Sequence, residues 1–136
     1  AQRIEEHRPA GVVSPRGVLG LAPAPDLEYL HANGTCDNAA GKLMGGSPDE
    51  HPDRYAAGSV ANRIPQDTPQ IAVIGKYDET WRPVGVRYAT AAAKLGAPVE
   101  VIDATESGHF EMIDPDSTTW PLVLDAAQRL LGVESD

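Results

Sequence analysis

The residues best suited to chemistry in this sequence are an acid and a histidine, each placed just after a short apolar run. Asp78 follows Gln70-Ile71-Ala72-Val73-Ile74-Gly75, and His109 follows Val99-Glu100-Val101-Ile102-Asp103 by a short loop. A carboxylate bonded to one imidazole nitrogen fixes the tautomer and stabilises the charged ring. The other nitrogen can then take a proton from a nucleophile and return it to a leaving group. An aspartate and a histidine so placed could orient and activate a nucleophile. The nucleophile itself is what the chain does not obviously supply.

The elements around these residues decide whether they can meet. The runs Gln70 to Ile74 and Val99 to Asp103 read as buried strands, and Pro83 to Leu95 between them reads as a helix stopped by Gly96. Strand, helix, strand predicts a right-handed crossover and therefore parallel neighbours. Side chains just beyond the C-terminal ends of parallel strands line the crevice of an open α/β sheet. His109 then lies in a loop from Ala104 to Thr119. The last helix, Trp120 to Leu131, carries Leu122, Val123, Ala126, Ala127, Leu130 and Leu131 at helical spacing and is stopped by Gly132.

Upstream, Gly17 to Ala22 is a short apolar run ended by Pro23 and Pro25, and it predicts a third strand. Ala1 to Arg16 reads as a frayed helix end and a surface loop. Helices are predicted over Asp26 to His31 with Asp26 as N-cap, over Asp37 to Met44 closed by Gly45-Gly46, and near Pro52 to Ala57. Ser47 and Glu50 have the spacing of a capping box, with Pro48 at the first helical position. Pro65 to Pro69 is a stiff linker. The first strand is expected at an edge of the sheet, apolar on both faces, which in a soluble protein demands a cover.

Composition bounds the reading. At 136 residues the chain is a single domain, and 41% hydrophobic residues mark a globular one. A net charge of −9 speaks against nucleic acid and against anionic membrane surfaces as partners. The single cysteine, Cys36, excludes an internal disulfide and fits a reducing, cytoplasmic setting. No apolar run is long enough to span a bilayer. The chain starts without Met, so a processed or partial chain is expected.

The order of these motifs resembles the C-terminal half of an α/β-hydrolase, the group of dienelactone hydrolases, prolyl-oligopeptidase-like esterases and kynurenine formamidases. The resemblance rests on Gly20-Leu21-Ala22-Pro23, on Gly45-Gly46-Ser47-Pro48 before Arg54-Tyr55-Ala56, on the acid turn Gly75-Lys76-Tyr77-Asp78, and on Gly108-His109-Phe110 before the final helix. It implies a partial α/β-hydrolase fold, a short parallel sheet of about three strands flanked by helices, with a cap-like helical insertion over residues 26–60. It implies Asp78 and His109 as the acid and general base of a Ser-His-Asp triad, a small ester or amide as substrate, and no cofactor or metal. In the family the acid turn continues to a Val-Pro pair, which Trp81 and Arg82 replace here. The family also requires a Gly-x-Ser-x-Gly elbow and a glycine-rich oxyanion loop, and neither occurs in this sequence. The expectation is two thirds of a triad. The nucleophile then comes from a missing N-terminal half, or the chain is an assembly module that forms a homo-oligomer through its open edge strand.

Other reactive residues have plainer readings. Gly34-Thr35-Cys36-Asp37-Asn38 approaches a nucleophile elbow, but a helix end precedes it rather than a strand. Ser47 reads as a helix cap, and Ser107 as a residue bonding backbone. Asp49, Glu50, His51 and Asp53 cluster without the fixed spacing and turn glycines of a hard-ion loop. His7 and His31 lack partners at ligand spacing. Trp81 and Phe110 either line a substrate pocket or pack on the adjoining helix. Tyr55 and Tyr88 read as core or helix-face residues.

Overall fold

The computed structural model describes residues 15–133, so the reading of Ala1 to Arg16 falls almost wholly outside the described residues. Three strands, β1 (Val18–Leu21), β2 (Gln70–Gly75) and β3 (Val99–Ala104), form one parallel sheet in the order β1-β2-β3. All six residues of β2 are buried. That fits a central parallel strand covered on both faces, which is why its sequence is apolar throughout rather than alternating. Val73 and Ile74 have no exposure at all, and each such side chain stabilises the fold by about 1.5–3 kcal/mol.

The two long helices cover opposite faces. Helix α4 (Arg82–Lys94) packs Gly85 against Ile74, and its Tyr88 donates a hydrogen bond to Gln70 Oε1 at 2.7 Å. Helix α5 (Trp120–Leu131) sets Val123 and Ala126 into the core with Ile71 and Val73. Its buried stripe is narrower than the apolar pattern suggests: Leu122 and Leu131 remain 39% and 55% exposed. Tyr55 and Tyr88 are buried, so both are core residues.

Between β1 and β2 run three shorter helices, α1 (Leu27–Ala32), α2 (Thr35–Met44) and α3 (Pro52–Gly58). Asp26 caps α1, its Oδ1 accepting from the Tyr29 N–H at 2.9 Å. Helix α2 opens irregularly. Cys36, Asp37 and Asn38 all have left-handed backbone, and the Asn38 side chain accepts from the Gly41 N–H, so regular helix begins after Asn38 rather than at Asp37. The capping box forms but opens no helix. Ser47 N–H and hydroxyl both bond Glu50, Glu50 N–H bonds the Ser47 hydroxyl, and the chain then turns until α3 starts at Pro52. The residue before a proline is pushed out of helical geometry, and His51 sits at φ −135° and ψ 55°. Ser47 hydrogen bonds, the backbone one foremost, hold the Glu50 carboxyl below its ordinary pKa. Among the described residues no helix is long and apolar enough to cross a membrane.

Candidate active site

Asp78 sits on the tight turn that leaves β2. Lys76 N–H donates to Ala104 O, Tyr77 N–H donates to Ser107 O at 2.9 Å, and Asp78 N–H folds back to Gly75 O. The turn is thereby sewn to the segment that leaves β3. Gly75 has no room for a side chain, because a Cβ there would lie 1.9 Å from Gly108 O. This close approach brings Asp78 beside His109 across 31 positions of sequence. The acid is almost fully buried, its side chain 3% exposed, and His109 is 35% exposed.

His109 Nδ1 and Asp78 Oδ2 are 2.7 Å apart. The second carboxylate oxygen, Oδ1, accepts from the Trp81 N–H at 3.0 Å. Both oxygens of a buried carboxylate are thus engaged, as burial of a charged group requires. With Nδ1 taken by the acid, exchange of a proton with any reacting group falls to Nε2. The imidazole is flanked by rings: the Trp81 indole lies nearly parallel at 5.5 Å between centroids and 19° between planes, and Phe110 meets it edge-on at 4.9 Å and 78°. These are the offset-stacked and edge-to-face arrangements that aromatic pairs favour. Trp81 is partly buried in the core, whereas Phe110 is 71% exposed.

The histidine loop is pinned on both sides of His109. Ser107 is fully buried, and its hydroxyl bonds the Thr119 hydroxyl just before α5. Its carbonyl accepts from Tyr77, so its side chain serves a second side chain rather than backbone, contrary to the sequence reading. Gly108 N–H donates to Glu111 Oε2 at 3.0 Å, and a short 3-10 turn, Glu111–Ile113, plants Met112 in the core.

The remaining reactive residues lie elsewhere or are occupied. Cys36 is exposed at the start of α2. The Ser47 hydroxyl is engaged with Glu50. His51 Nε2 contacts Gly45 O, and among the described residues no group of three or more His, Cys, Asp and Glu side chains is placed to hold a metal ion. The Trp81 contact to both members of the pair had no sequence signal beyond its position three residues after the acid.

The fold is similar to the crystal structure of an esterase, E25, with a TM-score of 0.60 and 17% identity over 98% of this chain and 44% of that chain. The chain therefore spans less than half the length of that esterase. No family model matches the chain, and no curated protein matches it in sequence. The structural likeness establishes an esterase-like α/β fold.

Proposed function

We propose that this chain supplies the acid and the general base of a carboxylic-ester hydrolase that uses a serine nucleophile, acting on a small ester or amide. The observation that carries the reading is the 2.7 Å contact of His109 Nδ1 with a buried Asp78, at the C-terminal end of a parallel sheet of esterase-like fold. Nε2 takes the proton of the attacking hydroxyl and delivers it to the leaving alkoxide, while Asp78 holds the tautomer and stabilises the imidazolium. The Ser47 and Ser107 hydroxyls are both engaged, and the sequence holds no Gly-x-Ser-x-Gly, which supports a nucleophile from outside these residues.

The two edges of the sheet support a place for it. Edge strand β3 carries Glu100 and Asp103, paired with Arg129 and Arg82, and such charges discourage strand addition. Edge strand β1 reads Val-Leu-Gly-Leu, partly open along its whole length and without a charge. Beside it an apolar cavity of about 210 Å³ opens between Val18, Gly20, Pro23, Pro25 and Val60. More than half of the similar esterase has no counterpart here. We assign the β1 edge to a further parallel strand that carries the nucleophile on the turn at its C-terminal end. Pairing of β1 between two copies of this chain is the competing reading.

Hydrolysis of nitrophenyl acetate by the purified chain tests the assignment. The expected rate is slow, lost in His109→Ala and kept in Cys36→Ala and Ser47→Ala. Brisk turnover that dies with Cys36→Ala or Ser47→Ala, or any turnover indifferent to His109→Ala, overturns it. Native mass spectrometry distinguishes a second, different chain from a homodimer.

A further inference from the structure

Trp81 stands where three parts of the molecule meet. Its backbone N–H holds Asp78 Oδ1, and its indole face lies along the His109 imidazole. The same side chain packs against the main core and against a separate cluster of Leu30 from α1, Ala40 from α2 and Val84 from α4. One residue thus touches the acid and the histidine and packs against a cluster to which two of the helices between β1 and β2 contribute.

We propose that Trp81 is a positioning residue for His109 and that it links the orientation of the imidazole to the packing of α1 and α2. The inference rests on the reading of His109 as general base, and it adds how that base is aimed. A single hydrogen bond at Nδ1 fixes one point of the ring and leaves the ring able to swing about it, carrying Nε2 off line. A flat neighbour nearly parallel to the imidazole removes that freedom. Phe110 does so less well, because it is 71% exposed and meets the imidazole edge-on. Trp81 does so because Leu30 and Ala40, each 5% exposed, form the cluster on which it rests. A base held 1 Å out of place loses much of its effectiveness, so α1 and α2 act on the chemistry without touching it.

The test reads the imidazole directly by NMR of chain carrying nitrogen-15 histidine, with His109→Gln to assign the signals. In the native chain the Nδ1 proton shared with Asp78 is expected to exchange slowly with water. In Trp81→Leu its exchange is expected to be roughly ten-fold faster, the loss of one aromatic pair, while Trp81→Phe retains most of the protection. Leu30→Ala, remote from His109, is expected to move exchange in the same direction by a smaller factor. Unchanged exchange in a folded Trp81→Leu overturns the proposal. If Trp81→Leu does not fold, Leu30→Ala decides: native exchange there overturns the link to α1. Since no turnover is measured, a failed hydrolase reading leaves this result standing, and a failed positioning role leaves the esterase assay standing.

Discussion

The turn that carries Asp78 and the loop that carries His109 reach the same spot by opposite means. The turn is held by main chain: Lys76, Tyr77 and Asp78 all commit their N–H groups to carbonyls, those of Ala104 and Gly75 at the two strand ends and that of Ser107 in the loop. The acid follows the strand closely and has little freedom to lose. The loop from Ala104 to Thr119 has no ladder; beyond the Tyr77–Ser107 bond and its own local turns, its long-range hold comes from side chains, through Ser107 to Thr119, Glu111 to Gly108, and His109 to Asp78 and Trp81. An acid whose task is to stay put sits on rigid backbone. On the proposed function, a base that must exchange protons sits on a segment whose restraints are separable and adjustable.

The sharpest way to break this contrast is Gly75→Ala, which attacks both segments at their contact. The new methyl would stand 1.9 Å from Gly108 O and 2.8 Å from Ser107 O, both of them backbone atoms. Strand end and loop must part, at a cost of about 3 kcal/mol, read as a lowered urea midpoint, with loss of the Asp78–His109 contact. A native midpoint would mean that the two segments do not touch at Gly75.

Ser107→Ala acts on the loop alone. It leaves the buried Thr119 hydroxyl without its partner and should cost about 2 kcal/mol. Adding Thr119→Val to it should recover part of that loss, because an apolar pair is cheaper than one orphaned hydroxyl. Additive losses in the double variant would show that the two hydroxyls act independently.

Asp78→Asn separates charge from position. The amide oxygen can still accept from Trp81 N–H, and its NH2 then faces Nδ1, so Nδ1 must accept and the proton moves to Nε2. The expected stability loss is small, about 1 kcal/mol, while the nitrogen-15 shifts of His109 report the reversed tautomer. An unreversed tautomer would mean that the carboxylate does not select it. The slow His109-dependent ester cleavage should vanish with the reversal.

The difference between turn and loop also sets what could be read from the sequence. Asp78 was legible because a strand end is a local feature: an apolar run, a glycine and an acid. His109 was legible as a residue after the next strand. What holds it was not, since Ser107, Thr119 and Trp81 act across the fold, and their types admit many partners. Sheet order and the edge position of β1 followed from the crossover rule and the apolar runs. The Ser47–Glu50 box misled because its hydrogen bonds need only one turn of chain, whereas a helix must continue through His51, the residue before Pro52. The left-handed backbone at Cys36, Asp37 and Asn38 had only a faint signal, since Asp and Asn tolerate that region better than most residues but rarely adopt it in series.

The smallest expected effect falls on the loop's most exposed restraint. Glu111 Oε2 accepts from Gly108 N–H at 3.0 Å across a short solvent-facing turn. In Glu111→Gln the amide oxygen can make the same bond without charge, so the stability change should be about 0.5 kcal/mol or less. If the loop is a set of separable restraints, this loss should appear locally, as faster amide exchange at Gly108 and His109, with Lys76 and Tyr77 unaffected. If exchange rises equally at the turn, the two segments form one cooperative unit, and the contrast between fixed acid and adjustable base fails. Glu111→Ala, which removes the acceptor altogether, should enlarge the loop's exchange further and still spare the turn.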